Sequence, residues 1–374
     1  MHLVIVQTPL AYMNNNTYNR QEIGLAKALV KKGIKVSLIF SGREEKTESI
    51  DGQFTIYYLK CVKFNQQIGY YKGLWKTLDM LKPDVLQVLE FGMFMSLSGL
   101  LWAKKNNVKC IVIQGSYELT RKPIFHQLEH MFNLTLGRYI LKHIDGIGCK
   151  TQAAIDYLNS YHTCKPFITP VGLDVSRFKE PEENEKSIKE ELGISKENKL
   201  LLYIGTLEHR RHVDLLLKAV KRLPNMYSMA IVGKGPMKEE LMQYCHANNM
   251  DNRVFWLGTK QQNELPLIYK GADLFLLASD YEIYGMVILE ALYWGTPVLA
   301  TETGGSVSII KDGEYGFLIN SFDEKEWTDK IVDILNDGDS ISKMKNNLRE
   351  YIVNNLTWDA TSSQFIKLYK TVLE

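Results

Sequence analysis

Short apolar runs alternate with amphipathic stretches along nearly the whole chain, and the pattern occurs twice. This alternation restricts the fold more than any other feature. Strands that are apolar throughout are buried on both faces, and the helical segments between them supply the cover, as in a parallel sheet. In the first half LVIVQT, KVSLIF, VLQVLE, KCIVIQG and GIGC read as strands, with helices over residues 21–32, 71–81 and 124–142. In the second half LLYIG, MAIVG, VFWLG, DLFLLAS, PVLAT and FLI read as strands, with helices over 213–223, 237–247 and 286–294. The expected fold class is α/β, with two Rossmann-like doubly wound domains facing a central cleft. Ligands of such sheets lie outside the carboxyl ends of the strands, so chemistry is to be sought in the loops that follow them.

The 374 residues suffice for two such domains, and 45% hydrophobic with 24% charged residues is the balance of a soluble globular protein. The longest apolar stretch, 91–103, is broken by Gly92, Ser96, Ser98 and Gly99 and is shorter than the ~20 residues a membrane span needs. MHLVIVQTPL reads as a first strand and not as a leader. Cys61, Cys110, Cys149, Cys164 and Cys245 form no C-x-x-C pair and no zinc-type cluster, which points to a reducing, cytoplasmic setting. A linker with a surface helix is expected over 179–198, which is rich in Glu, Lys and Asn. The expected domains are 1–175, 176–355 and a terminal helix, 356–374, crossing back to the first.

Charge is uneven. Residues 1–170 hold 21 Lys and Arg against 12 Asp and Glu, whereas residues 171–374 hold 24 against 31. The basic half reads either as a solvated surface with scattered lysines or as a face toward an anionic partner, for which a peripheral position on the inner face of the cell membrane is the expectation. No nucleic-acid motif accompanies it. The segment 124–142 has an apolar stripe flanked by Arg121, Lys122, Arg138 and Lys142. It reads either as core packing or as an interfacial helix.

The densest signal for chemistry is DLFLLASDYEIYGMVILEALYWGTPVLAT, residues 273–301. Gly285 opens a helix there, and a glycine at a helix start lets backbone N–H groups approach a phosphate. Glu282 precedes that helix and Glu290 lies inside it, and a carboxylate in such a place can clamp a ribose diol. Spacing alone also allows Glu290 as an ordinary helix-face residue and Glu282 as a solvated loop acid. A second cluster, GTLEHRRH at 205–212, places Arg210 and Arg211 in a strand-to-helix turn, where guanidinium forks can hold a diphosphate or simply lie in solvent. A third turn, Gly233-Lys234-Gly235-Pro236, is an incomplete dinucleotide fingerprint with Pro236 in the first turn of the helix that follows. His126 and His130 lack a third ligand, and the DGD at 337–339 lies after a helix, so no metal site is expected.

These segments in this order resemble the donor-binding domain of glycosyltransferase family 4, the retaining enzymes of GT-B fold. VGLDVSRF, YIGTLEHRRHVDLLLKAV, IVGKGP, VFWLG, the E-x7-E segment and PVLATETGGSVSIIKDGEYGFLI carry the resemblance over about 150 residues. It implies an enzyme that moves a sugar from a nucleoside diphosphate sugar, with UDP or GDP as nucleotide, to a hydroxyl of a saccharide or lipid-linked saccharide in capsular, exopolysaccharide or other cell-surface glycan assembly. No cofactor or metal is implied. By the same resemblance, Glu290 holds the ribose. Glu282, Tyr284, Gly285, Met286 and Val287 hold the donor sugar and phosphates, with Gly205, Thr206, Gly233 and Lys234 in the adjoining turns. The backbone around Trp256 and Leu257 faces the base.

This chain departs from the family at two places. The family's phosphate-binding Arg in the G-R-L motif is Thr206 here, with Arg210 as the candidate replacement, and the Lys five positions later is Arg211. The family's His at the end of the fourth expected strand is Gln114, which completes the catalytic set of Glu282, Arg210, Arg211 and Gln114. Asn14, Asn15 and Asn16, in the place of paired glycines, and Tyr117 with Glu118 are the expected acceptor contacts. Two alternatives remain: a nucleotide-sugar 2-epimerase of the same architecture, and a non-catalytic nucleotide-sugar sensor.

Overall fold

The computed structural model describes residues 1–8, 21–63, 69–182 and 185–374. They divide into two units, Met1–Gly172 with Thr357–Glu374, and Leu173–Leu356. Asn14, Asn15 and Asn16 lie outside the described residues. All five cysteines are free thiols. Among the described residues, no helix is long and apolar enough to cross a membrane.

In the first unit the sheet runs Lys46–Asp51, Phe54–Lys63, Lys35–Gly42, His2–Val6, Val85–Leu89, Lys109–Gln114, Gly146–Cys149 and Phe167–Ile168, with Gly69–Tyr71 paired to Phe54–Lys63. The five strands expected here are present and parallel. The hairpin of Lys46–Asp51 and Phe54–Lys63 goes beyond them: its first strand, KTESID, is almost wholly exposed and has no apolar alternation. Asp51 shapes its turn by accepting from the N–H groups of Gln53 (2.7 Å) and Phe54 (2.8 Å). The strand order reverses between His2–Val6 and Val85–Leu89, which opens a crevice at their carboxyl ends.

The terminal helix Trp358–Leu373 belongs to this unit. Gly24 makes room for the Trp358 indole, since a Cβ there would lie 2.2 Å from Nε1. At the far end, the buried Tyr369 hydroxyl donates to Gln87 Oε1 (2.7 Å) in the central sheet. The helix expected over 124–142 is helical throughout, but in three pieces: Pro123–Phe132, a π-turn at Asn133–Gly137, and Arg138–His143. Asn133 is buried at the π-turn and donates to the Tyr157 hydroxyl (3.0 Å). Its extra residue per turn resets which face points outward.

In the second unit the sheet is parallel throughout, in the order Val254–Gly258, Tyr227–Val232, Lys199–Ile204, Leu274–Leu277, Val298–Thr301 and Phe317–Ile319. These are the six strands expected. The segment expected as a linker is instead held against this unit. Its short helix Ile188–Glu191 starts on a capping box of Ser187 and Glu190, Lys189 pairs with Asp273 at 2.7 Å, and Glu180 pairs with Lys270 and Arg349. Arg253 is buried and donates to the Leu223, Val220 and Lys221 carbonyls, satisfying the end of helix Val213–Arg222. Strand order reverses between the neighbours Lys199–Ile204 and Leu274–Leu277. The loops after these two strands carry the second and first of the clusters singled out above.

Candidate active site

Two strand ends set the frame. After Lys199–Ile204 the chain passes through Gly205 and Thr206 into a 3-10 turn, His209–Arg211. His212, in the left-handed region at φ 46°, then caps helix Val213–Arg222. The loop after Leu274–Leu277 ends at Gly285 (φ 85°), which caps helix Met286–Tyr293. Because the first N–H groups of a helix have no intrahelical acceptor, Met286 and Val287, both half-buried, present donors at this end.

Arg211 joins the two loops. Its guanidinium is ion-paired with Glu282 through Nη1 and donates to Ser279 Oγ at 3.1 Å. Burial, with the neighbouring charge of Arg210, pulls the Arg211 pKa below its ordinary value. Arg210 donates to Glu208 (3.2 Å) and to the Tyr281 carbonyl (3.3 Å), and its own carbonyl accepts from Asp280 N–H (3.1 Å). His212 Nε2 lies 3.5 Å from Asp280 Oδ2. Two guanidinium groups are thereby held between the loops, and Arg211 Nε makes no hydrogen bond among the described residues.

A third loop closes on the same place. Gly305 N–H donates to the Glu282 carbonyl (2.9 Å), and a Cβ on Gly305 would fall 2.6 Å from the Tyr284 backbone. Ser306 Oγ bonds Thr303 at N (2.8 Å) and Oγ1 (3.0 Å), fixing a turn of Thr303–Ser306 against the helix start.

The Gly233 turn has a packing reason. Its N–H donates to the Gly258 carbonyl (2.8 Å), and a Cβ would lie 1.8 Å from the Gly205 carbonyl oxygen. Leu207 N–H donates to the Lys234 carbonyl (3.0 Å), so three strand ends are laced together by backbone. Pro236 lies two residues ahead of helix Lys238–Ala247, outside the first helical turn where it was expected. Thr206 and Lys234 are exposed, and Trp256 and Leu257 are half-buried on the edge strand. The Thr206 carbonyl accepts from Tyr203 OH (2.8 Å), which ties down the backbone of this turn.

Glu290 is only 1% exposed, in a helix whose residues from Ile288 to Tyr293 are all buried. Its Oε2 accepts from the Tyr269 hydroxyl at 3.0 Å. This buried carboxylate is not a surface helix-face residue, and Tyr269 fixes its orientation. Tyr269 and Ser279 escaped the sequence reading. Nothing in LPLIYKG marks its tyrosine for a polar task, and Ser279 simply ends an apolar strand.

In the first unit, Gln114 is 2% exposed, and its amide accepts from Phe91 N–H (3.0 Å) and donates to the Ser116 carbonyl (2.7 Å). This member of the expected catalytic set is thus buried, with its amide holding the loop between Phe91 and Ser116. Glu118 pairs with Arg121 (3.1 Å), and Tyr117 is half-buried beside it. Glu90 follows the strand at the sheet's reversal point, with φ 61°, and accepts from Gly115 N–H at 3.1 Å. Burial raises its pKa, and the charge of Lys150 opposes that rise. Neither Glu90 nor Lys150 was anticipated, although an acid directly after the apolar run VLQVL was a visible signal.

Two doubly wound units, with loops converging at a reversal point, define the GT-B class of proteins. Among solved structures of that fold, the chain is similar to the sucrose-phosphate synthase of Thermosynechococcus elongatus (TM-score 0.77, 18% identity, 99% of this chain and 98% of that one). It is similar too to Anabaena HepE in complex with UDP (TM-score 0.78, 15% identity, 99% and 100%). The family model described as glycosyl transferases group 1 matches residues 184–352, nearly all of the second unit, which is a domain of that kind. An uncharacterized glycosyltransferase of Methanocaldococcus jannaschii is 24% identical over 60% of this chain and 64% of its own length. The alpha-monoglucosyldiacylglycerol synthase of Streptococcus pneumoniae is 26% identical over 66% of this chain and 59% of its own length. The chain thus matches somewhat under two thirds of each of these relatives.

Proposed function

We propose that this chain is a retaining, metal-independent glycosyltransferase. It moves a sugar from a UDP or GDP sugar to a hydroxyl of an acceptor, a lipid-linked saccharide of cell-surface glycan assembly. The observation that carries the reading is the Arg211–Glu282 pair beside the helix start at Gly285, on the two loops that flank the reversal point. UDP bound to Anabaena HepE supports a uridine nucleotide, and the lipid product named for the pneumococcal relative supports a lipid-linked acceptor.

In this reading the diphosphate displaces Glu282 from Arg211. Arg210, Arg211 and the N–H groups of Met286 and Val287 meet the negative charge that grows on the leaving phosphate, where electrostatic stabilisation is worth most. Glu282, released from the pair, accepts from hydroxyls of the donor sugar, and Glu290, steadied by Tyr269, accepts from the ribose. The bond from the anomeric carbon to the phosphate oxygen breaks. The acceptor oxygen bonds to the same face of that carbon, and its proton passes to the departing phosphate. No metal is called for, because the arginines supply the countercharge.

The test is incubation with UDP- and GDP-sugars carrying labelled sugar, in EDTA, with and without extracted bacterial lipid. The reading predicts labelled lipid whose new linkage keeps the donor's anomeric configuration, by NMR. An inverted linkage, activity dependent on a divalent cation, or no turnover of any donor contradicts it.

A further inference from the structure

Helix Pro123–Phe132 buries none of its residues, although half of them are large and apolar. Ile124, Leu128 and Met131 stand at i, i+4 and i+7, so they form one stripe, and they are 76%, 56% and 64% exposed. A helix with such a stripe ordinarily turns it into the core. Here the stripe faces out, and Leu134 and Leu136 in the π-turn and Tyr139 beyond it are exposed as well.

The surface continues onto neighbouring helices. The Phe132 ring meets the exposed Phe94 edge-on, with centroids 4.9 Å apart, at the start of helix Phe94–Lys105. On the outer side of that helix Ser98 accepts from the indole of Trp75 (3.0 Å), itself exposed, and Lys105 lies 5.8 Å from the Trp75 ring. Lys104 stands 5.6 Å from the Tyr139 ring. Apolar side chains, ring systems with a polar edge and lysines on long stems therefore share one face. An isolated apolar patch of this extent marks an interaction surface.

Charge identifies the occupant. From Phe91 to His143 the chain carries seven Lys or Arg and two acids. Both acids are engaged, Glu118 with Arg121 and Glu129 with the Thr120 N–H (2.9 Å). The first unit as a whole holds 23 Lys and Arg against 14 Asp and Glu. A protein partner would need one apolar patch ringed by acids. A bilayer with anionic headgroups meets both requirements at once, since apolar side chains enter the acyl boundary while lysines and aromatic edges stay among the headgroups. We infer that the exposed face of helix Pro123–Phe132, continued over Phe94 and Trp75, docks the first unit onto an anionic membrane surface. Nothing in this surface depends on the donor nucleotide, and it goes beyond the proposed transfer.

The test is co-sedimentation of the full chain with vesicles of phosphatidylcholine alone and of equal parts phosphatidylcholine and phosphatidylglycerol, with light scattering of the free protein. The inference predicts binding to the anionic vesicles that weakens as salt rises. The triple variant Ile124→Ser, Leu128→Ser, Met131→Ser should weaken it about tenfold or more (~1.4 kcal/mol). Lys104→Glu with Lys105→Glu should do the same, with thermal unfolding and UDP binding unchanged in both. Equal binding by wild type and variants overturns the inference, as does no binding to anionic vesicles. A dimer that the triple variant converts to monomer also overturns it, in favour of a second copy on this face. UDP binding in the same samples keeps these outcomes separate from failure of the proposed function.

Discussion

Arg211 and Glu282 are paired across the reversal point of the second sheet, one from each of the two loops that meet there. Both are largely buried, so removing one leaves the other charge without its partner. Arg211→Ala should lower kcat by about 10²–10³, the usual effect of deleting one group that stabilises developing charge. It should also lower stability in urea. Adding Glu282→Ala should recover much of the stability and none of the rate. Recovery of rate in the double variant would show that the pair only holds the loops together.

Tyr269 and Glu290 form a second buried pair. In Tyr269→Phe the carboxylate loses the donor that orients it, a hydrogen bond to a charged group worth about 1.5–3 kcal/mol. UDP affinity measured by calorimetry should fall roughly tenfold or more, with little change in fold. Unaltered affinity would detach Glu290 from the ribose.

Gly233→Ala tests the lacing of the strand ends. The new Cβ would sit 1.8 Å from the Gly205 carbonyl oxygen, and the backbone there has φ 142°. The expected loss exceeds about 3 kcal/mol in urea unfolding. A loss below ~1 kcal/mol would mean that the two turns can separate freely.

Burial raises the pKa of Glu90 above the ordinary 4.5. The folded chain therefore keeps a proton that the unfolded chain gives up, and stability drains away as pH climbs from about 4.5 through the raised value. Glu90→Gln removes that dependence while keeping an acceptor for the Gly115 N–H. The melting temperature of the variant relative to wild type should be more favourable at about pH 8 than at about pH 4. A constant difference would place Glu90 in contact with water.

The strands of the second unit were legible because each is a short apolar run closed by a turn residue, and a strand buried on both faces shows little else. Lys46–Asp51 was not, because a polar edge strand exists only through its pairing with Phe54–Lys63. Gly285 and the two arginines could be read from their positions after strands. The contacts that complete the site could not: Ser279 meets Arg211, Tyr269 meets Glu290 and Gly305 meets the Glu282 carbonyl, each across twenty or more residues of sequence. The stripe of helix Pro123–Phe132 was visible as a pattern, but sequence cannot say whether an apolar face is covered. Gln114 entered the expected catalytic set through the resemblance alone, and the engagement of its amide by Phe91 and Ser116 depends on packing that sequence does not show.

In the proposed function the loops at the reversal point of the second sheet bind a nucleoside diphosphate through Arg211. Calorimetric titration of UDP, GDP and ADP into wild type and Arg211→Ala, all in EDTA, is the decisive experiment. Wild type should bind UDP or GDP saturably with EDTA present, and the variant should bind at least about tenfold more weakly. Equal affinity in both proteins, or no binding of any nucleotide to wild type, would contradict it.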